Sequence, residues 1–195
     1  MITPQQVIDV LVAAGVKKWV LMGLHGYVGY LAEPRATQDV DVLVGIRERG
    51  RAMKAILAAW PRLQVHERPE VLRFIDPNEL DFTGAPKVVI DIMLPKDEVY
   101  KTILNECVLI QEPTQHHIPT LEAALVAKYA AMIALSREYK KKLQDSLDFR
   151  LIAVPNREAI NVSELHRLAE FVFLGGGNEI VGFLDLAMTD QPFPV

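Results

Sequence analysis

Asp39 and Asp41 stand two apart in the run Gln38-Asp-Val-Asp-Val-Leu-Val44. In a strand, residues i and i+2 project from the same face. The pattern therefore sets two carboxylates side by side and turns Val40, Val42 and Val44 toward a core on the other face. Like charges on a rigid strand repel unless something neutralises them. A divalent cation is the common solution, and hard oxygen donors suit Mg2+ or Mn2+ better than zinc. The other reading of Asp-x-Asp is an exposed strand face carrying two solvated acids. A third acid bears on that choice. Asp91 sits at the centre of the apolar strand Val88-Val-Ile-Asp-Ile-Met-Leu94, where a lone carboxylate is costly unless it is paired or binds a metal. Three strand-borne carboxylates can bridge two metals about 4 Å apart, the arrangement used for in-line phosphoryl or nucleotidyl displacement. One metal would acidify the attacking hydroxyl and the other would hold a triphosphate. Asp91, needed at one metal only, could take the proton.

Gly23, the segment Arg35-x-Thr37-x-Asp39-x-Asp41 and the strand-borne Asp91 together resemble the DNA polymerase β-like nucleotidyltransferase superfamily. Within it, the chain is most similar to the minimal and AbiEii-type nucleotidyltransferases of bacteria and archaea. Beside their later K-h-x-A and K/R-D-x-x-D patterns this sequence offers Lys128-Tyr-Ala-Ala131 and Lys142-Leu-Gln-Asp145-Ser-Leu-Asp148. The likeness runs through residues 20–150. It implies transfer of a nucleoside monophosphate from an NTP to a hydroxyl, with Mg2+ or Mn2+ on Asp39, Asp41 and Asp91. It also implies nucleotide contacts at Gly23, Leu24, Arg35, Thr37 and Lys128. The acceptor stays open among an RNA end, a protein side chain and a small molecule such as an aminoglycoside. A toxin role with a cognate antitoxin as partner follows from the resemblance alone. One position departs from the pattern: Leu24 stands where the family has Gly or Ser, adding bulk and removing a hydroxyl beside the triphosphate. That departure supports a rival reading, a non-catalytic binding or regulatory protein on the same fold.

Other residues carry two readings each. Arg35 either meets phosphate or serves as a counter-charge to the acids, and Thr37 either touches substrate or bonds local backbone. Lys128, on an otherwise apolar helix face, either reaches a phosphate or snorkels at a rim. Arg137, Lys140, Lys141 and Lys142 form a basic cluster. Pairs at i, i+4 with Glu138 and Asp145 suit a solvated face, and polyphosphate or nucleic-acid contact is the other reading. Gly26 and Gly29 either make room for a ligand or let a helix pack closely. His25 lies near the nucleotide turn, with core packing as its other reading. His116-His117 is a poor metal pair because adjacent rings diverge on an extended chain. Gly175-Gly-Gly177 lacks a phosphate-loop context and reads as a helix stop.

These residues need a scaffold. The 195 residues are 50% apolar and 24% charged, enough for a real core. The net charge of −4 argues against a general nucleic-acid coat. The single cysteine, Cys107, excludes an internal disulfide and a cysteine-rich zinc site. The opening MITPQQ has no basic or apolar leader pattern, and Trp19 to Ala32 is too short to span a bilayer. A cytoplasmic protein with no membrane partner is therefore expected. Helices are predicted after Thr3-Pro4, over His25 to Leu31, Arg47 to Trp60 and Asp97 to Leu104. Strands are predicted at Trp19 to Met22, Gln38 to Val44, Val71 to Ile75, Lys87 to Leu94 and Val108 to Ile110. From Pro119-Thr120 onward the pattern is helical: one helix through Met132, one over Tyr139 to Val154, one capped by Ser163, and one over Asn178 to Met188. The expected architecture is α/β (α+β), a nucleotidyltransferase-like mixed sheet flanked by helices, with a helical C-terminal region. The division is a core over residues 1–112 and a helical region over 113–195 packed on it.

Overall fold

The computed structural model describes residues 2–33, 37, 39–81 and 83–194. Helix α1 (Pro4–Ala13) begins with a capping box: Thr3 Oγ1 accepts from the Gln6 amide while Gln6 Oε1 accepts from the Thr3 amide. Strand β1 (Trp19–Leu21) follows, then a short helix α2 (Gly23–Tyr27) that runs into a 3-10 turn over Val28–Tyr30. The chain returns as β2 (Val40–Val44) and continues into α3 (Arg49–Ala59), β3 (Gln64–Glu67), β4 (Val71–Leu80) and β5 (Pro86–Met93). Helix α4 (Glu98–Glu106) leads to a small hairpin of β6 (Val108–Gln111) and β7 (His116–Pro119). Four helices complete the chain: α5 (Leu121–Ile133), α6 (Tyr139–Ala153), α7 (Val162–Ala169) and α8 (Gly176–Met188).

The main sheet has the order β1-β2-β5-β4-β3, with β2 and β5 parallel and the other neighbours antiparallel. This is the expected mixed α/β fold with a helical C-terminus. Period-2 alternation sorts the strands onto two faces. Val40, Val42 and Val44 of β2, Ile90 and Ile92 of β5, and Leu72 and Phe74 of β4 join α1 and α3 in one buried cluster. Val20 and Leu43 point the other way, into a second cluster built with α4 and the C-terminal helices. Asp41, Asp91 and Arg73 occupy the positions between these core residues, so they share the face that looks toward the helical region.

Several sequence expectations are corrected. Strand β3 is absent from the pattern because Gln64-Val-His-Glu67 is an edge strand whose side chains are exposed or half-exposed. Strand β7 interrupts the stretch read as helical; His117 lies flat on Trp19, with ring centroids 4.3 Å apart, which ties the hairpin to β1. The cap of α7 is Asn161, whose side chain accepts from the Glu164 amide, rather than Ser163. The triple glycine starts α8 rather than stopping α7. Gly175 has φ +95°, and the Glu170 carboxylate accepts from the amides of Gly175 and Gly177. Among the described residues, no helix is long and apolar enough to cross a membrane.

Candidate active site

The register of three strands builds the site. Asp41 of β2 lies opposite Asp91 of β5, and Asp91 lies opposite Arg73 of β4. A row Asp41–Asp91–Arg73 therefore crosses the sheet on its helix-facing side, with Asp39 one pleat along from Asp41. Thr37 Oγ1 donates to Asp39 Oδ1 at 2.7 Å, which fixes that carboxylate and gives Thr37 a side-chain partner rather than a backbone one. The Arg73 guanidinium makes a bidentate pair with Asp91, Nε to Oδ1 at 3.1 Å and Nη2 to Oδ2 at 3.0 Å. The planar fork matches a carboxylate, so this is a strong charge-assisted contact.

Asp41 carries the row's unbalanced charge. It lies on the floor of a cleft of about 320 Å³ that Asp91, Arg73, Lys128, Arg137 and Asp145 also line. Burial first, then the like charges of Asp39 and Asp91, push its carboxyl up to about 7, with Lys128 and Arg137 opposing. Part of its surface opens into the cleft, so solutes reach it. Burial also raises Asp91, but the hydrogen bonds and charge of Arg73 hold the shift back.

Gly23 abuts Asp41. Its φ is +58°, and a Cβ there would sit 2.2 Å from Asp41 Oδ2. Only glycine combines that left-handed conformation with such close approach. The Met22 amide, one residue earlier, donates to the Asp41 carbonyl at 2.8 Å and docks the turn onto β2. Gly26 is also sterically required: a Cβ would lie 2.0 Å from the Leu21 carbonyl oxygen, so its role is close packing of α2 on β1. A Cβ at Gly29 would find nothing nearer than 3.8 Å. Leu24 buries its side chain, with 8% exposed, and does not line the cleft. His25 lies close enough to feel the charge of Asp39, but burial dominates and lowers its pKa.

Lys128 sits deep at the cleft wall. Its ammonium donates to Asp145 Oδ1 at 3.0 Å and Asp148 Oδ2 at 2.7 Å and lies 5.9 Å from the Tyr27 ring centroid. Asp145 and Asp148, three apart on α6, present both carboxylates to α5. Arg137 completes the cluster, with Nε 2.5 Å from Asp145 Oδ2. Neither sequence reading of Lys128 anticipated this, since the ammonium neither stands free for a phosphate nor snorkels into solvent. The i, i+3 acid pair facing an apolar helix with one lysine was the available signal. Arg73 was missed for a different reason: nothing in the sequence fixes its register against Asp91. Arg35 lies outside the described residues.

The donor chemistry fits a hard divalent cation at Asp39 and Asp41. Both are carboxylates, and burial, then the neighbouring negative charges of Asp39 and Asp91, raise Asp41. Asp91, beside them across the sheet, has Arg73 as its partner. Among the described residues no group of three or more His, Cys, Asp or Glu side chains is gathered as a ready ligand set.

No family profile matches the chain, and no curated protein matches it in sequence. Solved structures do. A candidate nucleotidyltransferase from H. pylori aligns at 15% identity over 96% of this chain and 94% of its own, with a TM-score of 0.52. The solution structure of the antibiotic-resistance factor ANT(2'')-Ia aligns at 14% identity over 96% and 97%, with a TM-score of 0.52. The crystal structure of ANT(2'')-Ia with adenylyl-2''-tobramycin aligns at 13% identity over 85% and 92%, with a TM-score of 0.51. At these identities the likeness establishes a nucleotidyltransferase-like fold.

Proposed function

We propose that the chain is a metal-dependent nucleotidyltransferase that moves a nucleoside monophosphate from an NTP to a hydroxyl and releases pyrophosphate. The observation that carries this reading is the carboxylate row on a nucleotidyltransferase-like sheet. Asp41 is crowded by Asp39 and Asp91 and is pressed by the backbone of Gly23. Asp39 and Asp41 would hold Mg2+ or Mn2+, which supplies Lewis-acid stabilisation of phosphoryl oxygens and a more acidic acceptor hydroxyl. Thr37 orients Asp39. Asp91 stands beside the reacting centre and accepts the acceptor's proton once Arg73 turns from it. Gly23 keeps side-chain bulk away from the acids so that a triphosphate can approach. Lys128, Asp145, Asp148 and Arg137 lock α6 against α5 and set the cleft's far wall.

The narrower assignment to the AbiEii-type subgroup rests on the K-h-x-A and D-x-x-D patterns. Their pairing through Lys128, Asp145 and Asp148 supports it by giving the two motifs one shared structural task. A toxin role with a cognate antitoxin is the biological reading that goes with that subgroup.

One observation favours the non-catalytic rival: the bidentate Arg73–Asp91 pair already satisfies the third acid. Thermal melts across Mg2+ and Mn2+, with and without each NTP, separate the two. The enzyme reading expects the ion to raise Tm through binding to the native state, Asp41→Asn to remove that response, and NTP to bind only with metal. A wild-type melt indifferent to both ions and all four NTPs would leave the binding-protein reading.

A further inference from the structure

A groove of about 630 Å³ lies apart from the acid cleft and shares no lining residue with it. It forms where the carboxyl ends of the parallel strands β2 and β5 meet the chain entering β1 and one side of α4. Lys17 and Lys18 line it before β1, Arg47 after β2, and Lys96 and Lys101 beyond β5. Among the described residues, Glu48 is the one carboxylate in the lining. Glu98 stands outside the lining and pairs with Lys101 at 3.1 Å. With both acids counted, the groove keeps an excess of three positive charges in a chain whose net charge is −4. Arg51, 3.9 Å from Glu48, and Asp97, which lines the acid cleft, offset one another when they are added. Lys17, Arg47 and Lys96 pair with no carboxylate among the described residues.

A frame of hydrogen bonds holds these cations in place. Glu48 commits both carboxylate oxygens to backbone: Oε1 accepts from the Lys17 amide at 2.8 Å and Oε2 from the Lys18 amide at 2.9 Å. The Gly45 amide donates to the Lys18 carbonyl at 3.0 Å. Lys18 Nζ donates to Asn105 Oδ1 at 2.8 Å, and Asn105 Nδ2 donates to the Lys101 carbonyl at 2.8 Å, which ties the segment to α4. Between the cations the lining is apolar, with Ile46 54% exposed beside the buried Pro95 and Leu104. Among the described residues no Phe, Tyr or Trp lines the groove, so it lacks the stacking platform that holds single-stranded nucleic acid. The charges line a concavity rather than a plane, which suits a protruding chain segment better than a bilayer surface. We propose that this groove docks an acidic segment of a partner protein. Carboxylates of that segment meet Lys17, Arg47 and Lys96, and an aliphatic side chain covers Ile46 and Leu104. The exposed Lys101–Glu98 pair is weak in solvent, so a partner carboxylate can take the place of Glu98. The groove is separate from the acid row, and its occupant does not depend on whether the chain transfers nucleotides.

The test uses the full chain and a panel of fluorescein-labelled peptides in which glutamates and aspartates surround a leucine or isoleucine. Anisotropy should rise on titration at low salt, and the affinity should fall as added NaCl screens the charges. Replacing every acid of a peptide by its amide should abolish binding, and replacing the aliphatic residue by serine should weaken it several-fold. Arg47→Glu and Lys96→Glu should each weaken binding about tenfold, the effect of reversing one charge at the rim of an interface. Lys54→Glu makes the same charge change on α3, outside the groove, and should leave the affinity nearly unchanged. All three side chains are exposed, and thermal melts of the variants establish that each is folded. Single-stranded RNA, phosphatidylserine vesicles and sedimentation of the chain alone are run beside the peptides. The proposal is overturned if no acidic peptide binds at low salt, or if Lys54→Glu weakens binding as much as Arg47→Glu. It is also overturned if RNA, vesicles or self-association depend on Arg47 and Lys96 more strongly than the peptides do.

Discussion

Replacing Gly23 with alanine tests the link between the turn and the acids. The added Cβ would lie 2.2 Å from Asp41 Oδ2 and 3.1 Å from its Cγ. A normal non-bonded contact needs about 3.2 Å or more, so the carboxylate must move by roughly 1 Å. Turning Asp41 off its rotamer costs about 0.5–1.5 kcal/mol, and holding alanine at φ +58° costs about 1–2 kcal/mol. The smaller entropy of the unfolded alanine chain returns about 0.4–1 kcal/mol. The net is about 2 kcal/mol, a drop of roughly 4–8 °C in Tm for a chain of this size. The larger effect falls on the site, because the displaced carboxylate is the one proposed to hold the ion. The Tm rise with saturating Mg2+ should shrink or vanish in Gly23→Ala. Removing the colliding carboxylate removes the clash, so Gly23→Ala combined with Asp41→Ala should be less destabilised than the sum of the two singles by about 1 kcal/mol. Gly29→Ala, whose Cβ would make only an ordinary contact 3.8 Å from Gln111 Nε2, should be close to neutral. The reasoning fails if Gly23→Ala keeps the wild-type metal response, or if the double variant is simply additive.

Other consequences follow from the same geometry. The carboxyl of Asp41 is raised from its ordinary value to about 7, so the folded state holds that proton where the unfolded chain releases it. The stability this contributes is present below about pH 4 and is lost as pH rises toward 7, by at most about 4 kcal/mol before discounting for the part of Asp41 open to the cleft. Urea unfolding from pH 4 to 8 without metal should show that slope, and Asp41→Asn should flatten it. Lys128→Met strips the shared ammonium from two buried carboxylates and should cost about 3 kcal/mol or more. Adding Asp148→Asn should recover part of the loss, and an unchanged urea midpoint in Lys128→Met would contradict the pairing. Arg73→Gln frees Asp91 for the ion, so Mn2+ binding followed by electron paramagnetic resonance should tighten several-fold. A weaker Mn2+ site in that variant would show that Arg73 supports rather than competes. Leu24→Ser empties a buried position and should lower Tm by several degrees.

The two-faced character of β2 was legible because period 2 leaves no freedom: once Val40, Val42 and Val44 are core, Asp39 and Asp41 must share the other face. Asp91 was legible for the same reason, as one acid in an otherwise apolar strand. The C-terminal helices were legible from their length and composition. What escaped depends on contacts between elements that the sequence does not order. The pairing of Arg73 with Asp91 needs the register of β4 on β5, which shifts at Phe74/Ile75 and again between Asp76 and Leu80. Strand β3 has no apolar alternation because an edge strand with solvent on one side needs little of it. Lys128 looked like a candidate phosphate contact because its partners lie 17 and 20 residues further on, on a different helix.

The charges around the cleft explain why Arg73 can sit on Asp91 without making the site redundant. The interacting groups are Asp39, Asp41, Asp91, Asp145 and Asp148 on one side and Arg73, Lys128 and Arg137 on the other. With every group ionised, five negative charges against three positive leave two negative. Lys128 is committed to α6 and Arg137 to Asp145, so neither can move to Asp41 without exposing another buried acid. Arg73 reaches Asp91 along the register of the sheet, and the pKa of Asp41 stays raised with that pair in place. With Asp41 ionised the cluster is left with two unanswered negative charges, and with Asp41 protonated with one. A second arginine in the row would remove the deficit and with it the reason for a cation to bind. On this accounting Arg73 is a counter-charge to Asp91 alone, and it leaves the charge of Asp41 and Asp39 unanswered within the row.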